Sequence, residues 1–310
     1  MPWPFLRTAL SLPLTESKAR NKGLAPRRFG FALVSVAAGM AAVVAFQVLA
    51  FGAPPSPADA QGVCPPEMVS VRKFCVDRWE SSMVDRATGR PLSPYYPPHA
   101  KLLREVFQAW DVDRGNFGSD GARAMPVPEV SDWQRTHEFD LKAVSQKGAV
   151  PQAYVSYPLA KRACENAGKR LCTRDEWVAA CKGDTGTKFP YGETFERSKC
   201  NVWGYVHPGV ALHQSATFGH RDPRLNLVSE GGERPFLRLT GAMSTCASKW
   251  GKDAAYDMVG NVDEWVDGDR PEFVGGFYAR STSNGCESRV TNHAPAYYDY
   301  SVGVRCCRDL

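Results

Sequence analysis

The chain is short of the patterns on which most recognisable enzyme chemistry rests. Its six histidines in 310 residues form no HExxH pair, and neither a nucleophile elbow nor a Ser/His/Asp arrangement is present. No cysteines stand as CxxC and no Cys/His tetrad falls at zinc-finger distances, which excludes a structural zinc site of that kind. The Gly-containing run from Asn116 to Gly121 follows no predicted strand and precedes no predicted helix, so it is not a phosphate loop. No repeat of solenoid length is present either. An excess of one charge is also missing where a folded domain would lie. The formal net charge is +5, but Arg7, Lys18, Arg20, Lys22, Arg27 and Arg28 face only Glu16 and Asp59 near the N-terminus, which places four of the five charges there. The near-neutral remainder has no nucleic-acid footprint, so no nucleic-acid partner is expected.

Hydrophobic residues, by contrast, make up 43% of the chain, enough for a full core. From Phe29 to Gly52 the sequence is uncharged and almost wholly apolar, behind a basic flank. It reads as an export signal or a membrane anchor: Ala58 and Ala60 suit cleavage before Gln61, whereas the length of the run suits a membrane span. Residues 1–60 are therefore expected to be signal or anchor with a linker, and 61–310 a single domain. The domain is expected outside the cytoplasm, periplasmic or secreted, with membrane contact only through residues 29–52 if they stay attached. All ten cysteines follow the cleavage site, and an even number in an exported chain reads as up to five disulfides.

Local patterns place a few elements. Cys64 to Cys75 reads as two short strands and a turn, and Ala100 to Trp110 as a helix in an otherwise loop-like stretch from Pro91 to Gln152. Tyr157 to Ala167 has apolar residues four apart and Gly168 as its stop. A second helix starts at Thr173, where Thr173 and Glu176 form a capping box and Trp177, Ala180 and Cys181 share the inner face. Beyond Cys181 no helical period is apparent. Runs such as Glu272 to Ser281 and Tyr300 to Cys307 read as small strands between Gly, Asn and Pro.

Six blocks occur in order: FCVDRWE, ACENAGKRLCTRDEWVAACKG, FPYG followed by CNVW, YDMVGNVDEW, VGGFY and GVRCC. Together they resemble the formylglycine-generating, sulfatase-modifying-factor family from roughly Cys64 to Asp309. The resemblance implies a loop-rich α+β fold, distantly C-type-lectin-like and stapled by disulfides, with structural calcium. It assigns one ion to Asp257, the carbonyls of Gly260 and Val262, and Glu264, a set of oxygen donors suited to a hard cation. A second would start at Asn201 and Val202, with Asp222 or Asn226 as the available partners downstream.

The same resemblance argues against copper. Active members hold copper(I) with two thiolates, and here Arg280 stands at the first cysteine position and Gly285, beside Cys286, at the second. Cys286 reaches that position only if the loop shifts by one residue. The family's bridges would correspond to Cys164–Cys306 and Cys181–Cys286, leaving Cys172–Cys307, Cys64–Cys75 and Cys200–Cys246 as the remaining pairs, although sequence alone does not fix connectivity. A histidine–carboxylate iron site is compatible with the residue types. For replacement chemistry the candidates are Cys286, His293, Arg280, Arg289 and Tyr298, with Tyr297 and Tyr300 as neighbours. The expected function is a binding or structural module for a protein or peptide ligand. The alternative is an enzyme of the same superfamily, formylglycine-generating in type or a non-haem-iron oxidase, with an altered site.

Overall fold

Short alternating runs in this chain become short strands. In the computed structural model, which describes residues 63–113, 118–202, 206–229 and 234–310, β1 (Met68–Val71) and β2 (Phe74–Asp77) pair antiparallel across a two-residue turn, Arg72 taking φ 54°. The expected export segment and its cleavage site lie outside the described residues. β3 (Ser81–Asp85) alternates buried and half-buried residues. Next come α1 (Ala100–Asp113) and two five-residue helices, α2 (Asp120–Ala124) and α3 (Asp132–Thr136). The loop-like stretch is thus more structured than its composition suggests, because single helical turns are too short to register as a period. β4 (Leu141–Ser145) returns to pair antiparallel with β3.

α4 (Tyr157–Asn166) and α5 (Arg174–Lys182) flank the two-residue β5 (Arg170–Leu171). At the start of α5 the capping box is formed: Thr173 Oγ1 accepts the Glu176 N–H and Glu176 accepts the Thr173 N–H at 2.9 Å. Two of the donors that a helix start leaves orphaned are thereby satisfied. α6 (Pro208–His213) is a short helix that periodicity did not reveal.

The rest is β6 (Ala247–Trp250), β7 (Asp253–Tyr256), β8 (Asp263–Val266), β9 (Glu272–Val274), β10 (Arg289–Val290), β11 (Val302–Val304) and β12 (Cys306–Asp309). One sheet runs β1-β2-β12-β5 and another β10-β9-β8-β11, in which β11 is parallel to β8; β6 and β7 form a separate ladder. All ten cysteines are bonded: Cys64–Cys75, Cys164–Cys306, Cys172–Cys307, Cys181–Cys286 and Cys200–Cys246.

The core is tripartite. Trp177 lies among three disulfides, Cys172–Cys307, Cys181–Cys286 and Cys200–Cys246, with Val266 and Val274. Trp265 packs with Phe273 and the Cys164–Cys306 bridge, and Tyr96, Tyr154, Tyr278 and Tyr300 fill the third cluster. Both tryptophans are almost wholly buried, and aromatic cores of this kind lose on the order of 3–5 kcal/mol when truncated to alanine. Among the described residues no helix is long and apolar enough to cross a membrane.

Candidate functional site

The segment after β9 decides what chemistry the chain can do. Gly275 and Gly276 take φ 92° and 82°, and a Cβ on Gly276 would lie 2.0 Å from Thr282 Cγ2, so the turn admits only glycine there. The turn delivers Arg280 back onto β8, where its Nη2 reaches Asp263 Oδ1 at 2.5 Å and its guanidinium lies over the Phe277 ring. Asp263 is fully buried, also accepts the Gly276 N–H, and leaves Oδ2 without a partner among the described residues. Burial lifts its carboxyl to about 7, with Arg280 opposing the rise. Cys286 is buried and bonded to Cys181. The two positions that the resemblance assigns to copper therefore present a guanidinium and a glycine, and Cys286 offers no thiolate.

Beside Arg280 the C-terminal loop gathers a half-buried His–Tyr–Asp cluster. His293 stacks on Tyr297 at 3.8 Å between ring centroids. The Tyr297 hydroxyl donates to Asp299 Oδ2 at 2.5 Å, and His220 Nδ1 stands 3.6 Å from the same oxygen. The other Asp299 oxygen accepts the Ser301 N–H and hydroxyl. Tyr300 lies edge-on between His207 and His220, and its hydroxyl is 2.9 Å from His207 Nε2. Burial holds His207 and His293 below the usual imidazole range; for each, Asp299 opposes the shift and the charge of His220 adds to it. Burial and Asp299 push Tyr297 upward. His207 and His293 thus favour the neutral imidazole, and Tyr297 the protonated phenol.

Of the residues singled out in the sequence, His293 and Arg280 belong to this group. Tyr298 does not: it is buried in the third core cluster under Arg221, whose guanidinium is 4.4 Å from the ring centroid. Arg289 is set apart on β10, 3.6 Å from Glu272. His207, His220 and Asp299 were missed, and the only signal for Asp299 was its place within a run of tyrosines. Among the described residues no three His, Cys, Asp or Glu side chains converge as a metal-holding group.

The acidic loop before β8 curls through three left-handed residues, Asp257, Gly260 and Asn261, at φ 58°, 91° and 60°. For the two non-glycines such a conformation is sustained by the surroundings. Asn261 is clamped by Glu80, Arg238 and Asn201, and Asp257 Oδ2 accepts the Gly241 N–H at 2.6 Å. Both oxygens of Glu264 accept from Arg305 at 3.0 Å, and Oε2 also accepts the Trp177 indole N–H at 2.6 Å. Glu80, Asp257 and Glu264 are all buried around that single guanidinium. Burial, with the Asp257 and Glu264 charges behind it, raises Glu80 well above the carboxylate range, and burial raises Asp257 to about 7.

The polar side chains expected at a second cation site have protein partners. Asp222 is buried against Arg224 and His213, both at 2.8 Å, and Asn226 donates to the Tyr300 carbonyl. The Asn201 carbonyl accepts the Asn261 N–H, and its side chain serves Phe236 and Asn261. Asp222, a downstream candidate for that ion, is held by Arg224 two residues further along the chain.

Comparison with known proteins follows the same lines. The family model of the sulfatase-modifying factor enzyme 1-like domain matches residues 33–310. The inactive C-alpha-formylglycine-generating enzyme 2 of Bos taurus is 28% identical over 124 residues, which is 40% of this chain and 34% of that protein. The chain thus matches about a third of the length of this curated relative. Among solved structures, CarF is 16% identical with a TM-score of 0.36, covering 76% of this chain and 86% of that one. PvdO from Pseudomonas aeruginosa is 15% identical with a TM-score of 0.35, covering 80% and 100%. The P3c variant of the Major Tropism Determinant is 14% identical with a TM-score of 0.38, covering 80% and 53%.

Proposed function

The chain belongs to the sulfatase-modifying factor enzyme 1-like family, and from that premise we propose that it is an exported, calcium-stabilised binding module without formylglycine-generating chemistry. The observation that carries this reading is the fate of Cys286: its sulfur is spent on Cys181, while Arg280 stands at the other copper position. A cationic side chain repels the metal that a thiolate pair would hold. Five disulfides support an oxidising compartment. The cluster of His207, His220, His293, Tyr297 and Asp299 supplies aromatic faces and hydrogen-bonding tips, the surface that a peptide or protein ligand would use.

The test has two arms. The purified chain, given copper(I), oxygen and a peptide bearing a sulfatase-type substrate cysteine, is expected to yield no aldehyde by mass spectrometry, and turnover would sink the proposal. A displayed peptide library is expected to enrich on the immobilised chain and to lose that enrichment with His220→Ala and Tyr297→Ala. Enrichment indifferent to both substitutions would remove the cluster from the reading. The second reading, an altered enzyme of the same superfamily, is favoured by His220 and the Tyr297 hydroxyl converging on one Asp299 oxygen. Stoichiometric iron or copper in the purified chain would shift weight to it.

Calcium enters because Glu80, Asp257 and Glu264 are buried around one guanidinium and burial disfavours the ionised forms of Glu80 and Asp257, a cost that a bound cation would offset. Asp257 and the carbonyls of Gly260 and Val262 would hold the ion, with Glu264 shared between it and Arg305. Chelation is expected to lower the melting midpoint by several degrees, and calcium but not magnesium to restore it. An unchanged midpoint removes the ion.

A further inference from the structure

A cavity of about 350 Å³ opens between the loop that leaves α5, the turn at 190–192 and the segment that leads into β6. Its lining combines the polar side chains of Asp184, Thr185, Ser244 and Lys249 with the apolar surfaces of Pro190 and Tyr191. We infer that this cavity binds a pyranose sugar, free or at the end of a glycan. Such a ring carries a rim of hydroxyls, each both donor and acceptor, around an apolar C–H face. The cavity offers the complement. Asp184 Oδ1 accepts, Lys249 Nζ donates, and the Thr185 and Ser244 hydroxyls do both. Among the described residues none of these four groups is taken by a protein partner, since Asp184 receives the Gly251 N–H on its other oxygen. Charge does not select an ion here. Asp184 stands against Lys249, and the other lysine of the lining, Lys199, faces Glu196 at 3.5 Å.

The walls are bonded to one another. The Asp184 N–H donates to the Lys249 carbonyl and the Gly251 N–H to Asp184 Oδ2, each at 2.9 Å, which clamps the loop after α5 to the β6–β7 ladder. Gly183, at φ 67°, permits this approach, because a Cβ there would stand 2.9 Å from the Lys249 carbonyl oxygen. Thr245 Oγ1 donates to the Lys199 carbonyl at 2.7 Å, and the Cys200–Cys246 bridge closes the same junction. Tyr191 is fixed by its stack on Phe189, 5.5 Å between ring centroids, and by the Glu196 N–H on its hydroxyl. A lining positioned in advance loses less freedom when a ligand enters.

The experiment is saturation-transfer NMR of the full chain with the methyl pyranosides of glucose, galactose, mannose and N-acetylglucosamine, and with the corresponding disaccharides. Saturable transfer to at least one pyranoside is expected. Tighter binding of its disaccharide identifies the end of a glycan as the ligand, and equal binding the free sugar. Thr185→Ala with Ser244→Ala is expected to weaken binding at least fivefold. Both residues are exposed, so the fold is expected to persist, as an unchanged circular dichroism spectrum would verify. A control pair that removes two exposed hydroxyls elsewhere, Ser70→Ala with Thr291→Ala, is expected to bind like the parent. The inference is overturned if no pyranoside binds saturably, if both pairs lose affinity equally, or if neither pair does.

Discussion

Asp77 is an acid that the fold holds at a disadvantage. It is fully buried on β2, with one oxygen 2.6 Å from Lys169 Nζ and the other accepting the Cys306 N–H at 3.2 Å. Burial nevertheless prevails over Lys169 and Arg305 and lifts its carboxyl from 3.8 to about 6. A raised acid favours its protonated form in the folded chain. Its contribution is therefore complete below the unfolded value and is lost as pH rises through about 6. Between pH 4.5 and 7.5 that loss is about 2 kcal/mol. Asp77→Asn, which cannot ionise, is expected to gain that much relative to the parent over the same interval. Urea unfolding at the two pH values measures it, and a stability difference that stays constant with pH would rule out the burial argument. Nothing in the sequence around Asp77 announces this, because FCVDRWE reads as strand and the burial comes from β12, more than two hundred residues away.

The elements that the sequence revealed are those whose causes are local. The Thr173–Glu176 box and the 3.6-residue spacing of Trp177, Ala180 and Cys181 lie within one helix, and α5 begins where they place it. The Gly168 stop likewise ends α4 within a residue of its expected end. What could not be read was pairing at a distance: β11 lying parallel to β8, or β12 entering between β2 and β5. The candidate site divides in the same way. Arg280 and Gly285 at the copper positions follow from counting along one loop, and His293 from its place after that loop. His207 and His220 come from the far side of a poorly patterned stretch and meet Asp299 only because Tyr300 packs between them.

For the molecule as a whole, the C-terminus acts as the clasp. β12 is an inner strand, and its two consecutive half-cystines reach back to different elements: Cys306 to Cys164 on α4 and Cys307 to Cys172 just after β5. Those bonds close loops of 142 and 135 residues, whereas Cys64–Cys75 spans only 11. If a disulfide acts mainly by restricting the unfolded chain, the 135-residue closure contributes about 5 kcal/mol and the 11-residue one about 3 kcal/mol. The short bond also braces a hairpin that the β1–β2 turn already closes, which lowers its share further. Cys172→Ala with Cys307→Ala is therefore expected to lose more stability than Cys64→Ala with Cys75→Ala, by about 2 kcal/mol or more. Buried sulfur lost from the first core cluster acts in the same direction, since both Cys172 and Cys307 are fully enclosed. Denaturant midpoints of the two variants, measured with the other four bonds intact, decide the matter. Equal losses would mean that the bonds act by local packing and that the C-terminal strand holds its place without them.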